Sequence, residues 1–270
     1  MVIFRKKSLE KDMENQLPIN QILCEDCIDA IPKLPPNSID LIVTSPPYFN
    51  ANKKYQRGTG IHYTTDVGEP LYTVEDLFEV AYRVVKPDGF FCINLGFSYG
   101  ETGILRPFYV IQRALRYNWF PCDIIMWEKD NPIPIHNRLT NAFEYVFVLA
   151  KHPQNEYPNA KNMDYVPNII RSNINKPKDA SFHSAVFPID VPEFCITHFS
   201  KRGDIVLDPF MGSGTTALAC LKLGRAYLGY DISTEYVQQA QDRILKSNFS
   251  PTLTKPPQKS TTIESFFKLK

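Results

Sequence analysis

The sequence contains no apolar run approaching the roughly 18–20 residues that cross a bilayer, which excludes a helical membrane span. Its basic start, Met1-Val2-Ile3-Phe4-Arg5-Lys6-Lys7, lacks the apolar core and cleavage site of a signal peptide, so a cytoplasmic protein is expected. Net charge is scarce as well. At +1 the chain carries no overall field for a polyanion, and any nucleic-acid contact must come from local basic patches. Of six cysteines, Cys24 and Cys27 form a lone CxxC with no second pair at zinc-ligand spacing. No metal site is expected, and the thiols read as reduced core residues.

With 43% hydrophobic and 22% charged residues, the composition is that of an ordinary globular protein large enough for one sizeable α/β domain. Short β-branched or aromatic runs at 21–24, 39–44, 90–94, 124–128, 144–150, 205–207 and 226–230 predict strands. They alternate with helical patterns at 73–85, 105–117, 192–199, 215–223 and 233–245. That alternation predicts a mostly parallel seven-stranded sheet with helices on both faces. Thr73 with Asp76 reads as an N-cap pair, and Lys86-Pro87-Asp88-Gly89 as a helix stop followed by a turn. The domain spans 20–247, with aperiodic insertions at 49–71 and 152–183, between flexible ends at 1–19 and 248–270.

Two constellations carry chemistry. In the first, a buried strand at 205–207 runs into Asp208-Pro209-Phe210-Met211-Gly212-Ser213-Gly214-Thr215-Thr216. The glycines let the backbone turn tightly and approach a ligand, and the helix that follows aims free N–H groups into the same crevice. A second strand then ends in Asp231, whose carboxylate can accept both hydroxyls of a ribose. The loop lacks the lysine of a phosphate-binding P-loop, and Ala217 stands where a dinucleotide fingerprint has its third glycine.

In the second, the strand 39–44 ends in Ser45-Pro46-Pro47-Tyr48. The prolines stiffen the loop, their carbonyls and the Ser45 hydroxyl can accept from an exocyclic amine, and Tyr48 offers a face to a flipped base.

Together these motifs resemble the β-class amino-methyltransferases of DNA, in which the catalytic motif precedes the cofactor loop. The resemblance covers about residues 20–246 and implies a Rossmann-like methyltransferase fold with permuted motif order. It implies S-adenosylmethionine as cofactor and double-stranded DNA as partner. Ser45, Pro46, Pro47 and Tyr48 would be the catalytic set; Asp208, Pro209, Phe210, Gly212, Ser213, Gly214, Thr215 and Asp231 would hold the cofactor. Cys24-Glu25-Asp26-Cys27 is similar to the family's acidic motif, which assigns Asp26 to the adenine end. His183-Ser184-Ala185-Val186-Phe187-Pro188 resembles the segment that closes over the cofactor, through Phe187 and Pro188. Phe143-Glu144-Tyr145-Val146-Phe147 resembles a late strand motif. The chain departs from the pattern at Glu25, where glycine is usual, and at Ser184, where proline is common.

The family's reaction is direct transfer to an exocyclic nitrogen, without a covalent enzyme intermediate. Serine at position 45 favours cytosine N4, with adenine N6 as the alternative; an RNA methyltransferase or a non-catalytic DNA- or clamp-associated module is a remoter reading. A cytosine-C5 enzyme would need a cysteine nucleophile, and Pro121-Cys122 sits in an apolar run on the wrong side of the glycine loop. A restriction-modification setting and nucleoid association accompany the resemblance.

Lys53, Lys54 and Arg57, in a stretch free of acids, are the candidate phosphate contacts. Near the end, Ile263, Phe266 and Phe267 resemble a peptide that docks on sliding clamps, with Ser260 in place of the usual glutamine; a tail docking on its own domain or in a homodimer is the alternative.

Overall fold

The computed structural model describes residues 17–46, 72–97, 103–130, 132, 134–159, 166–172, 188–247 and 249. Among them, eight strands form one sheet: β1 (Gln21–Cys24), β2 (Ile39–Thr44), β3 (Val85–Leu95), β4 (Phe120–Lys129), β5 (Phe143–Ala150), β6 (Ile169–Ser172), β7 (Ile205–Asp208) and β8 (Ala226–Asp231). Their order is β1-β8-β7-β2-β3-β5-β4-β6, and β5 alone runs antiparallel to its neighbours. The helices are α1 (Cys27–Ala30), α2 (Tyr72–Val84), α3 (Arg106–Ala114), α4 (Asp190–Phe199), α5 (Thr215–Leu223) and α6 (Thr234–Lys246). Among the described residues no helix is long and apolar enough to cross a membrane.

The central strands read as continuous apolar runs because both of their faces are covered. Leu41, Val43, Phe90, Cys92 and Val206 pack against α4, α5 and α6, whereas Ile42, Phe91, Ile93 and Leu207 pack with α1, α2 and α3 on the other face. Each such large side chain, fully withdrawn from water, stabilises the fold by about 1.5–3 kcal/mol. Cys27, Cys92, Cys195 and Cys220 are buried in these layers, and burial raises the thiols of Cys27, Cys92 and Cys220 above their usual range, so they stay protonated and inert.

Four details differ from the sequence expectation. The sheet has an eighth strand, β6, inside the stretch read as aperiodic; only four residues long, it earns its place through pairing with β4 and through the Trp127 indole, which donates to Ser172 Oγ at 2.8 Å. The helix α1 is equally short, and Asp26 caps it by accepting from the Ile28 N–H at 2.9 Å. Finally, Lys86-Pro87-Asp88-Gly89 is a bulge rather than a turn between elements. Val85 lies opposite Ile39 and Phe90 opposite Leu41, so β3 runs through the bulge and stays parallel to β2. Helix α2 begins at Tyr72, one residue before the expected cap.

Candidate active site

From β7 the chain passes through α5 and returns as β8 on one side; from β2 it passes through α2 and returns as β3 on the other. The connections therefore diverge between β7 and β2, and a crevice opens at their carboxyl ends, where doubly wound folds bind ligands. Both predicted motifs start there.

Asp208 closes β7 and is fully buried. Its Oδ1 accepts from Thr44 Oγ1 at 2.7 Å and from the Phe210 N–H at 3.0 Å, and its Oδ2 accepts from Thr216 Oγ1 at 2.5 Å. Burial pushes this carboxyl up to about 6, against the lowering effect of those three donors. Asp208 thus lies beneath the glycine loop and braces it, rather than standing on its surface.

Above it, the loop turns through Gly212 and Gly214, both at positive φ, and Gly214 (φ +80°) leads directly into α5. A Cβ on Gly214 would lie 2.9 Å from that of Ala240 in α6, so the residue has to be glycine on two counts. From the same helix Arg243 donates to Ser213 Oγ at 2.9 Å. Asp231, at the end of β8, accepts from the Gly212 N–H through Oδ2 and from the Ser233 N–H through Oδ1, both at 2.9 Å. Each carboxylate oxygen keeps a second lone pair. Burial raises this carboxyl as well.

Across the crevice, Thr44 ends β2 opposite Ile93 of β3, which brings Ser45 beside Asn94. The Asn94 amide nitrogen donates to Ser45 Oγ at 3.3 Å and to Glu144 Oε2 at 2.9 Å, and Lys129 Nζ pairs with Glu144 Oε1 at 2.7 Å. Asn94 and Glu144 are buried. An aromatic group flanks this network: Phe143 lies 5.3 Å from both Phe97 and Tyr145, ring centre to ring centre.

Of the residues singled out in the sequence, Ser45, Pro46, Asp208, Pro209, Phe210, Gly212, Ser213, Gly214, Thr215 and Asp231 gather at this one end of the sheet. Asp26 shares the end as well, since Cys24 of β1 lies opposite Asp231, but its carboxylate is engaged as the α1 cap. Pro188 precedes α4 and accepts from the Val191 N–H at 3.2 Å. Cys122 is half-buried on β4, its thiol raised by burial and by Asp123, which suits a packed residue and not a nucleophile. Pro47, Tyr48, Lys53, Lys54, Arg57, Phe187, Ile263, Phe266 and Phe267 lie outside the described residues. Sequence reading missed Asn94, Glu144 and Lys129 as site residues; their signal was polar side chains inside otherwise apolar strands.

Known proteins resemble this chain in sequence and in fold. A family model described as DNA methylase matches residues 39–242. The chain is similar to the Type II methyltransferase M.SmaI of Serratia marcescens, at 29% identity over 277 residues, covering 88% of this chain and 94% of that protein. It is similar to the Type II methyltransferase M.Cfr9I of Citrobacter freundii, at 29% identity over 257 residues, covering 81% and 85%. In fold it resembles the PvuII DNA methyltransferase (cytosine-N4-specific), with a TM-score of 0.71 at 23% identity, over 85% of this chain and 87% of that one. The M1.HpyAVI–SAM complex superposes with a TM-score of 0.63 at 26% identity, over 83% and 98%.

Proposed function

The chain belongs to the DNA methylase family whose model spans residues 39–242, and from that premise we propose that it methylates N4 of a cytosine flipped out of double-stranded DNA, at a specific sequence. The coarser activity is that of an S-adenosylmethionine-dependent DNA amino-methyltransferase. One observation carries the finer mechanism. The 2.7 Å hydrogen bond from Thr44 to Asp208 joins the root of the base loop to the root of the glycine loop, so that two ligands held by those loops meet in one crevice.

The residues at the ends of β7 and β8 fit the cofactor. Asp231 keeps a lone pair on each oxygen for vicinal ribose hydroxyls, and the positive end of α5, which opens at Gly214, suits a carboxylate. When bound, S-adenosylmethionine supplies a methyl group on a positively charged sulfur. The chain's own task is to present the nitrogen. Ser45 Oγ and the Pro46 carbonyl accept the amino hydrogens, which draws the nitrogen towards a tetrahedral shape and aims its lone pair. Tyr48 offers the extruded base a stacking face worth about 1–3 kcal/mol. Serine rather than aspartate at position 45 supports cytosine over adenine, by the resemblance of this loop to the cytosine-N4 members of the family.

The test is nucleoside mass spectrometry of unmethylated duplex DNA after incubation with the full chain and S-adenosylmethionine. N4-methylcytosine is the expected product. N6-methyladenine would retain the class and overturn the target; no methylated nucleoside, with cofactor binding intact, would remove DNA as the substrate.

A further inference from the structure

We propose that Asn94 is a positioning residue that fixes the hydrogen-bonding polarity of Ser45, and that Glu144 and Lys129 set the polarity of Asn94. The proposal rests on the reading of Ser45 as a contact to the target base.

The argument starts from what each group can do. Glu144, paired with the Lys129 ammonium at 2.7 Å, is a carboxylate and can only accept. The part of the Asn94 amide that faces Glu144 at 2.9 Å must therefore be the NH2 group and not the carbonyl, which settles the orientation of the amide on chemical grounds. That nitrogen carries two hydrogens. One meets Glu144, and the other faces Ser45 Oγ at 3.3 Å. Lys129 and Asn94 thus both donate to Glu144, and Asn94 also donates outward to Ser45.

The consequence falls on the serine. With one lone pair engaged by Asn94, Ser45 Oγ retains one lone pair and its own O–H. An acceptor and a donor side by side complement an amino group next to an unprotonated ring nitrogen. Cytosine presents that edge at N4 and N3, and adenine at N6 and N1; uracil and thymine do not present it, and guanine presents it only at N2 and N3, away from the edge that carries its O6. Ser45 held this way selects an amidine edge and registers the amine, without acting as a base. The chain places this device on rigid elements, since Asn94 and Glu144 stand on adjacent antiparallel strands and are buried.

The experiment is a double-mutant cycle on the full chain, reading the single-turnover rate of methyl transfer to duplex DNA, with S-adenosylmethionine binding measured by calorimetry. Asn94→Ala should lower the rate at least tenfold while the cofactor Kd stays within twofold. In a Ser45→Ala background the same change should cost less than twofold, because its effect passes through the serine. Glu144→Gln keeps the shape but lets the Asn94 amide turn over; it should also slow transfer in the wild-type background and not in Ser45→Ala, and it carries the test if Asn94→Ala fails to fold. A wild-type rate in both Asn94→Ala and Glu144→Gln, or losses that multiply with that of Ser45→Ala, would overturn the proposal. A wild-type rate in Ser45→Ala alone would instead overturn the role of the serine, and the relay with it.

Discussion

Thr44 Oγ1 donates to Asp208 Oδ1 at 2.7 Å, across 164 residues of sequence. The bond crosses the point where the chain diverges between β2 and β7, and it is buried at both ends. It holds the start of the base loop at a fixed distance from the start of the glycine loop. A methyl transfer tolerates little error in that distance, since about an ångström of misplacement costs on the order of a hundredfold in rate.

The buried carboxyl of Asp208 makes stability depend on pH. Its folded value of about 6 lies above the ordinary 3.8, so between these values the folded state holds a proton that the unfolded chain has lost. Stability from this group is present below pH 4 and falls as pH rises to 6, by about 3 kcal/mol at about 1.4 kcal/mol per unit. Denaturant unfolding of the wild type and of Asp208→Asn across pH 4–7 should show the wild type losing ground steadily over that window. Parallel curves would mean that the three donors hold the carboxyl near its ordinary value.

Ser45→Ala should lower the rate of transfer by about ten- to a hundredfold and leave the cofactor Kd within twofold. Single-turnover kinetics with calorimetry separates the two effects. An equal loss in both would mean that the serine supports the cofactor loop instead.

Asp231→Ala should weaken S-adenosylmethionine binding at least tenfold. It removes the acceptor of the Gly212 and Ser233 N–H groups as well as the proposed ribose contact, so the loop loses its shape and the ligand a partner. Calorimetric titration measures it.

Gly214→Ala should cost about 1–3 kcal/mol from its left-handed backbone, with further loss from crowding against Ala240. Adding Ala240→Gly relieves the crowding but not the backbone, so thermal melting of the pair should show partial recovery only. Full recovery would mean that the backbone strain is negligible.

Replacing Lys53, Lys54 and Arg57 by Ala should flatten the salt dependence of DNA binding. Three lost phosphate contacts reduce the slope of log K against log salt by up to about 2.7. An unchanged slope in fluorescence anisotropy would remove them from the interface.

Much of this was legible in the sequence because local chemistry dictated it. The helix at 215–223 coincides with α5, since glycine on either side leaves no freedom about where it begins and ends. The runs at 21–24 and 39–44 coincide with β1 and β2 because β-branched and apolar residues stop abruptly at polar ones. Where four-residue elements carried no period of their own, as in Ile169–Ser172 and Cys27–Ala30, the sequence was silent. Pairing of Ile170 with Trp127 in one case, and the Asp26 cap in the other, stabilise segments that propensity alone leaves undecided.

By itself, then, the sequence determined where the two candidate loops begin, because Gly212, Gly214 and the prolines after Ser45 have backbone preferences that hold in any context. Only the tertiary structure decided what Asp208, Asn94 and Glu144 do. A carboxylate or an amide has no fixed role until its partners are known, and here those partners, Thr44, Ser45 and Lys129, come from distant parts of the chain.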